Sequence, residues 1–300
     1  MMPLMDLKVD FAFKQLFGKQ GNEPILIAFL NATLKLPKNE CITFIEILNS
    51  ELEPNHLDDK KSVLDIHART ENGARINIEI QLANRYDMEK RTLYYWSRIY
   101  SGQLNEGMGY KELAKTITIN ILNFRFVKPT ERYHTTFHLF EDEEKFLLTD
   151  VLEIHFMEIP KLMVNWRKKA LNLHEDLLVR WLLLLEAGEN EDIRRELEAI
   201  AMQDSVMKKA FAEWEDISRN PRAWAEYESR RKAILDDAAA VREAELRAQE
   251  AEEKGALIGA LHAAENIARN LLLSGMDVET VAEHTGLSKE KVADIQRNVH

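Results

Sequence analysis

The stretch LDIHARTENGARINIEIQL, residues 64–82, constrains the fold more than any other part of this chain. Its apolar residues alternate on both sides of Glu71-Asn72-Gly73, as in a β-hairpin with one dry face and one wet face. A two-residue Asn-Gly loop would set Asp65 against Ile80 and every apolar residue against a polar one. A three-residue Glu-Asn-Gly loop, with Gly73 left-handed, instead sets Thr70 against Ala74. It then pairs 68 with 76, 66 with 78 and 64 with 80, all Ala, Ile or Leu. Register follows the hydrophobic pattern, so this loop is the expected one.

On the wet face the same register pairs His67 with Asn77, Asp65 with Glu79 and Val63 with Gln81. Opposed carboxylates with Cβ atoms roughly 5 Å apart weaken a sheet. A cation between them reverses that cost. Magnesium is held typically by one or two carboxylates, with water and phosphate oxygens completing its shell. The hairpin therefore predicts a Mg2+ site at Asp65 and Glu79 and chemistry on a phosphate. The plain alternative is a solvated polar sheet face, with His67 and Asn77 as ordinary members of it.

Around the hairpin the chain reads as mixed α/β. Residues 11–17 and 22–35 have helical spacing, with Asp10 and Asn22 as expected N-caps. ITFIEILNSEL, 42–52, and KTITINILNFRFV, 115–127, read as strands, and runs near 133–140 and 150–159 extend the same sheet. Residues 87–107 form a helix with aromatic residues at helical spacing and Gly107 as its stop. The expected fold is a mixed sheet flanked by helices, followed by an all-α region. The expected domains are 1–164, then a helical bundle and long helix over 165–256, then a small helix-turn-helix-like element over 257–300 capped at Ser288.

Charge is unevenly shared. Residues 1–130 hold 17 Lys and Arg against 16 Asp and Glu, whereas residues 131–300 hold 23 against 35. The first half can thus present a basic surface to phosphates despite a net charge of −11. The single cysteine, Cys41, excludes an intrachain disulfide and a thiolate metal cluster and fits a reducing compartment. The strongest apolar run, WLLLLEA, is too short for a membrane span, and the N-terminus lacks a signal-peptide core, so a cytoplasmic protein is expected.

Several stretches carry a family likeness: DFAFKQLFG at 10–18, ILIAFLNATLKL at 25–36, LDIHA at 64–68, GARINIEIQL at 73–82 and RTLYYWSRIYSGQL at 91–104. An Asp on one strand, Glu-x-Gln on the next and then a helix resembles the PD-(D/E)XK nuclease core. Over the first 130 residues the chain resembles the Rpn family of recombination-promoting nucleases, also described as transposases. The resemblance implies a restriction-endonuclease-like fold and a metal-dependent DNA endonuclease in which Asp65 and Glu79 ligate Mg2+. Gln81 would stand where most of the superfamily has lysine. An amide orients by hydrogen bonds but brings no charge, so Lys14, Lys60, Lys61 or Arg91 would have to supply it.

Asp10 and Glu23 match family positions, but serve equally as residues of a helix start. Tyr94, Tyr95 and Trp96 are expected to pack the helix. DNA is the expected partner, with a homodimer formed through the helical C-terminal half. The last helix offers only Lys289, Lys291 and Arg297, so docking or self-association is expected of that element more than base reading. The competing reading is a catalytically inactive DNA-binding or scaffold protein that keeps the nuclease fold.

Overall fold

In the computed structural model, which describes residues 3–52, 62–84 and 87–298, the expected mixed sheet is present. Helices α1 (Asp10–Phe17) and α2 (Glu23–Leu34) precede strands β1 (Ile45–Ile47), β2 (Glu51–Leu52), β3 (Ser62–Val63), β4 (Ile66–Thr70) and β5 (Arg75–Gln81). Helix α3 (Met88–Ser101) crosses to β6 (Thr116–Leu122), followed by the hairpin β7 (His134–Phe140) and β8 (Leu147–Glu158). The main sheet runs β1-β4-β5-β6-β8-β7. β5, β6 and β8 are parallel, with antiparallel strands at both edges. Every residue of β6 is buried, as expected for a central strand covered on both faces.

The hairpin takes the register set by its hydrophobic pattern: Ile66 opposes Ile78, His67 opposes Asn77 and Ala68 opposes Ile76. Gly73 has φ +86°, a conformation that favours glycine, and the Thr70 N–H donates to the Ala74 carbonyl. Ile66, Ala68, Ile76, Ile78 and Ile80 face a core shared with Phe13, Phe17 and Phe29 of α1 and α2.

Leu64 departs from the expectation. The ladder stops at Ile66 and Ile78, and the chain bends at Asp65. Leu64 packs with Tyr95 and Ile99 on α3 instead of lying opposite Ile80 in the main core. The cause is local: the Asp65 carboxylate, and no strand carbonyl, receives the Ile80 N–H at 2.9 Å.

Other boundaries shift for similar reasons. The 42–52 segment divides into β1 and β2, and α3 ends at Gly102, short of Gly107. Asp10 is the first helical residue after the cap Val9. Asn22 occupies a cap position, but its amide donates to the Leu16 carbonyl at 3.0 Å, tying α2 to α1.

After β8 come α4 (Ile159–Arg167), α5 (Leu177–Leu184), α6 (Glu191–Ala201) and α7 (Ser205–Arg219). Asp176, Asn190 and Asp204 cap the last three with side-chain oxygens. These helices continue the core of the sheet: Trp181 packs edge-on to Phe17 with ring centroids 5.9 Å apart, and buried Trp214 donates to the Met5 carbonyl at 2.8 Å. Helix α8 (Pro221–Leu273) follows. The chain divides into two compact units, 1–238 and 239–300.

In the second unit the end of α8 packs with α9 (Val278–Thr285) and α10 (Lys289–Arg297) around Ala268, Leu272, Val281, Val292 and Ile295. Gly286, φ +70°, makes the turn and Ser288 caps α10. Among the described residues, no helix is long and apolar enough to cross a membrane.

Candidate active site

The bend at Asp65 and the wet face of β5 meet beside α1 and α3. Asp65 and Glu79 are fastened to each other's strands. The Asp65 N–H donates to Glu79 Oε1 at 3.2 Å, while Asp65 Oδ2 receives the Ile80 N–H. Each remaining oxygen meets a cation from a different helix. Lys14 Nζ of α1 is 3.1 Å from Asp65 Oδ1, and a guanidinium nitrogen of Arg91 on α3 is 3.4 Å from Glu79 Oε2. Arg91 also donates to Gln81 Oε1 at 3.4 Å. Asp65, Glu79 and Gln81 are thus brought together, with Lys14 and Arg91 as the cations beside them.

Lys14, Asp65, Gln81 and Arg91 line a cleft of about 300 Å³. Glu79 lies beneath this lining, only 2% exposed. Asp10 lines the cleft too and is ion-paired with Arg230 of α8. Arg230, like Lys8 and Asp237 in the same lining, is a cleft residue that sequence reading missed. It comes from an Ala/Glu/Arg-rich helix more than a hundred residues downstream, where nothing local distinguishes it from its neighbours.

Burial dominates the electrostatics. It pushes the Glu79 carboxyl up to about 8, helped by the Asp65 charge and opposed by Arg91. Burial likewise raises Asp65, against the pull of Lys14. At neutral pH, therefore, the pair keeps a proton where two anions would otherwise face each other.

This donor set fits magnesium. It offers two hard carboxylates, Asp65 in the wall of an open cleft and Glu79 just beneath it, and a bound ion would take over the oxygens that Lys14 and Arg91 now hold. Among the described residues, no group of three or more His, Cys, Asp and Glu converges to hold a metal. A bound ion would draw its other ligands from water and phosphate oxygens.

The remaining candidates have other duties. The Glu23 carboxylate receives the Gly21 N–H at the start of α2. His67 Nδ1 lies 3.2 Å from the Asn49 carbonyl, and burial lowers its pKa. Tyr95 is buried under the Arg91 guanidinium, and Trp96 donates to the Thr116 carbonyl and stacks on Tyr100. Asn77 is wholly buried on the polar face of β5. Lys60 and Lys61 lie outside the described residues.

In the second unit all three cations of α10 have acidic partners: Lys289 with Glu279, Lys291 with Glu265 at 2.8 Å and Arg297 with Asp294.

Comparison with curated proteins and with solved structures returns no match. Family models do match. That of the PD-(D/E)XK nuclease family transposase covers residues 7–244, which hold the whole cleft, and that of the Rpn/YhgA-like nuclease family, C-terminal HTH domain, covers 261–297. With most of its length inside the first of these, and a matching domain at its end, the chain belongs to the PD-(D/E)XK nuclease family transposases of the Rpn type.

Proposed function

We propose that this chain is a Mg2+-dependent DNA endonuclease that hydrolyses phosphodiester bonds, in the service of recombination or mobile-element movement. The observation that carries the reading is the pair Asp65 and Glu79, two interlocked carboxylates at a cleft whose burial and mutual repulsion hold a proton between them even with Lys14 and Arg91 beside them. Asp65 and Glu79 would hold the metal. When bound, magnesium lowers the pKa of a water and stabilises charge on the phosphate. Gln81, at the cleft wall, orients the attacking water by hydrogen bonding. Lys14 and Arg91 line the same cleft and bring the positive charge that Gln81 lacks.

DNA is the substrate and partner in this reading, and a cytoplasmic setting accords with the single cysteine. A homodimer formed through the helical C-terminal half would present two such centres to the two strands. The fully paired cations of α10 suit docking within that assembly better than direct phosphate contact.

The test is nicking of a supercoiled plasmid by the full chain. Cleavage is expected with Mg2+, none with a chelator, and none from the folded double variant Asp65→Ala, Glu79→Ala. Wild-type rates from that double variant would end the assignment. So would tight DNA binding without cleavage under every divalent ion tried.

A further inference from the structure

The most conspicuous feature left unused by the cleft is the β7–β8 hairpin. β7 is the outer strand of the sheet, with β8 on one side and no strand on the other among the described residues. Phe137, Leu139 and Phe140 of β7, with Phe146 before β8 and Leu147 and Leu148 at its start, are all exposed; Leu148 is 71% exposed. A long apolar edge is a hazard that soluble proteins ordinarily blunt with charge or cover. Contiguous apolar surface of this kind marks a contact with another protein.

The ends of the hairpin identify the partner. Its tip, residues 141–145, carries four acids, Glu141, Asp142, Glu143 and Glu144, against one lysine, Lys145, which donates to the Asp142 carbonyl, and none of the four acids has an ion-pair partner among the described residues. That tip repels nucleic-acid phosphate. The segment entering β7 carries Lys128 and Arg132, also without an ion pair among the described residues, while its one acid, Glu131, is held by Arg125 at 3.0 Å. A two-fold axis between two copies makes their edge strands antiparallel. The acidic tip of one copy then lies beside Lys128 and Arg132 of the other, and the reverse contact forms at the far end. A register centred near Phe137 sets Arg132 against Asp142, and one centred at Thr136 sets Lys128 against Glu144.

We infer that the β7 edge is a self-association surface through which two copies of this chain join antiparallel, with the exposed apolar residues covered between them and the acidic tip of each seated on the basic entry segment of the other. The regular pairing of β7 with β8 holds from His134 to Phe137 and then shifts. The continuous part of the new ladder is therefore short. The opposite edge of the sheet is the unrelated strand β1, so sheet-edge pairing by itself stops at two copies. This contact is separate from one through the helical half and does not depend on the cleft chemistry.

Because another interface could also set the mass in solution, the test must read this edge itself. In the full chain with Cys41→Ser, a cysteine is placed singly at Thr135, Phe137 or Leu139, with Glu198→Cys on the exposed face of α6 as the control. On oxidation at low micromolar concentration, at least one β7 cysteine is expected to give a covalent dimer about tenfold faster than the control. Arg132→Glu is expected to weaken that capture about tenfold, since the symmetric contact feels each substitution twice. Arg132→Glu combined with Asp142→Arg is expected to restore it. Capture no faster than at Glu198→Cys, or capture unchanged by Arg132→Glu, would overturn the inference.

Discussion

Replacing Glu79 with glutamine is expected to lower Mg2+-dependent DNA cleavage at least about 10²–10³-fold while leaving the fold as stable as before at pH 5 and more stable at pH 8. The two halves of this result have one cause. Glu79 is buried beside Asp65, and its carboxyl titrates at about 8 instead of the ordinary 4.5. Below pH 4.5 the group is protonated in both folded and unfolded chains and contributes no difference. As pH rises from there towards 8, the unfolded chain releases the proton and the folded chain keeps it, so stability falls with pH through this window. The loss is on the order of a few kcal/mol across the window, at about 1.4 kcal/mol per pH unit for one fully coupled proton. Glutamine copies the protonated form and removes this pH dependence, but it cannot neutralise a divalent ion. Urea unfolding at pH 5 and pH 8, run beside plasmid cleavage, checks both parts. Equal pH dependence in wild type and Glu79→Gln would show that burial of this carboxyl does not set the site's charge.

The second large effect lies far from the cleft. Trp214 is fully buried, its indole N–H donates to the Met5 carbonyl, and its ring lies against Gly188. Trp214→Ala is expected to cost about 4 kcal/mol, from the cavity and from the orphaned carbonyl. Sheet and helices of the first unit are expected to unfold in one transition. The reason is that a single core joins Phe13, Ile78, Leu182 and Trp214. Unfolding followed by far-ultraviolet dichroism would contradict this if helices α5 to α7 melted separately from a stable sheet.

These two sites mark what a single sequence can and cannot yield. The hairpin was legible because strand side chains repeat every two residues and Gly73 suits the three-residue loop, so the register from Thr70 and Ala74 down to Ile66 and Ile78 followed from sequence alone, while Asp65 and Glu79 meet just past the end of that ladder. The bend at Asp65 was not, because it depends on a side-chain oxygen taking a backbone N–H, an outcome with no pattern in the apolar spacing. That one exchange sends Leu64 to α3. The cations beside the pair were equally obscure. Four were eligible by composition, and only the packing of α1 and α3 against the sheet brings Lys14 and Arg91 to the acids. The helices after residue 165 showed their amphipathic period, but nothing in it said that Trp181 would close on Phe17 of the first helix.

The central claim, that Asp65 and Glu79 form one site which exchanges a proton for a metal ion, is tested most directly by titrating Mg2+ into the full chain at pH 7 in weak buffer while following proton release. Close to one proton released per ion bound is expected from wild type, and neither binding nor release from Asp65→Asn, Glu79→Gln. Mg2+ binding without proton release, or undiminished binding to the double variant, would contradict it.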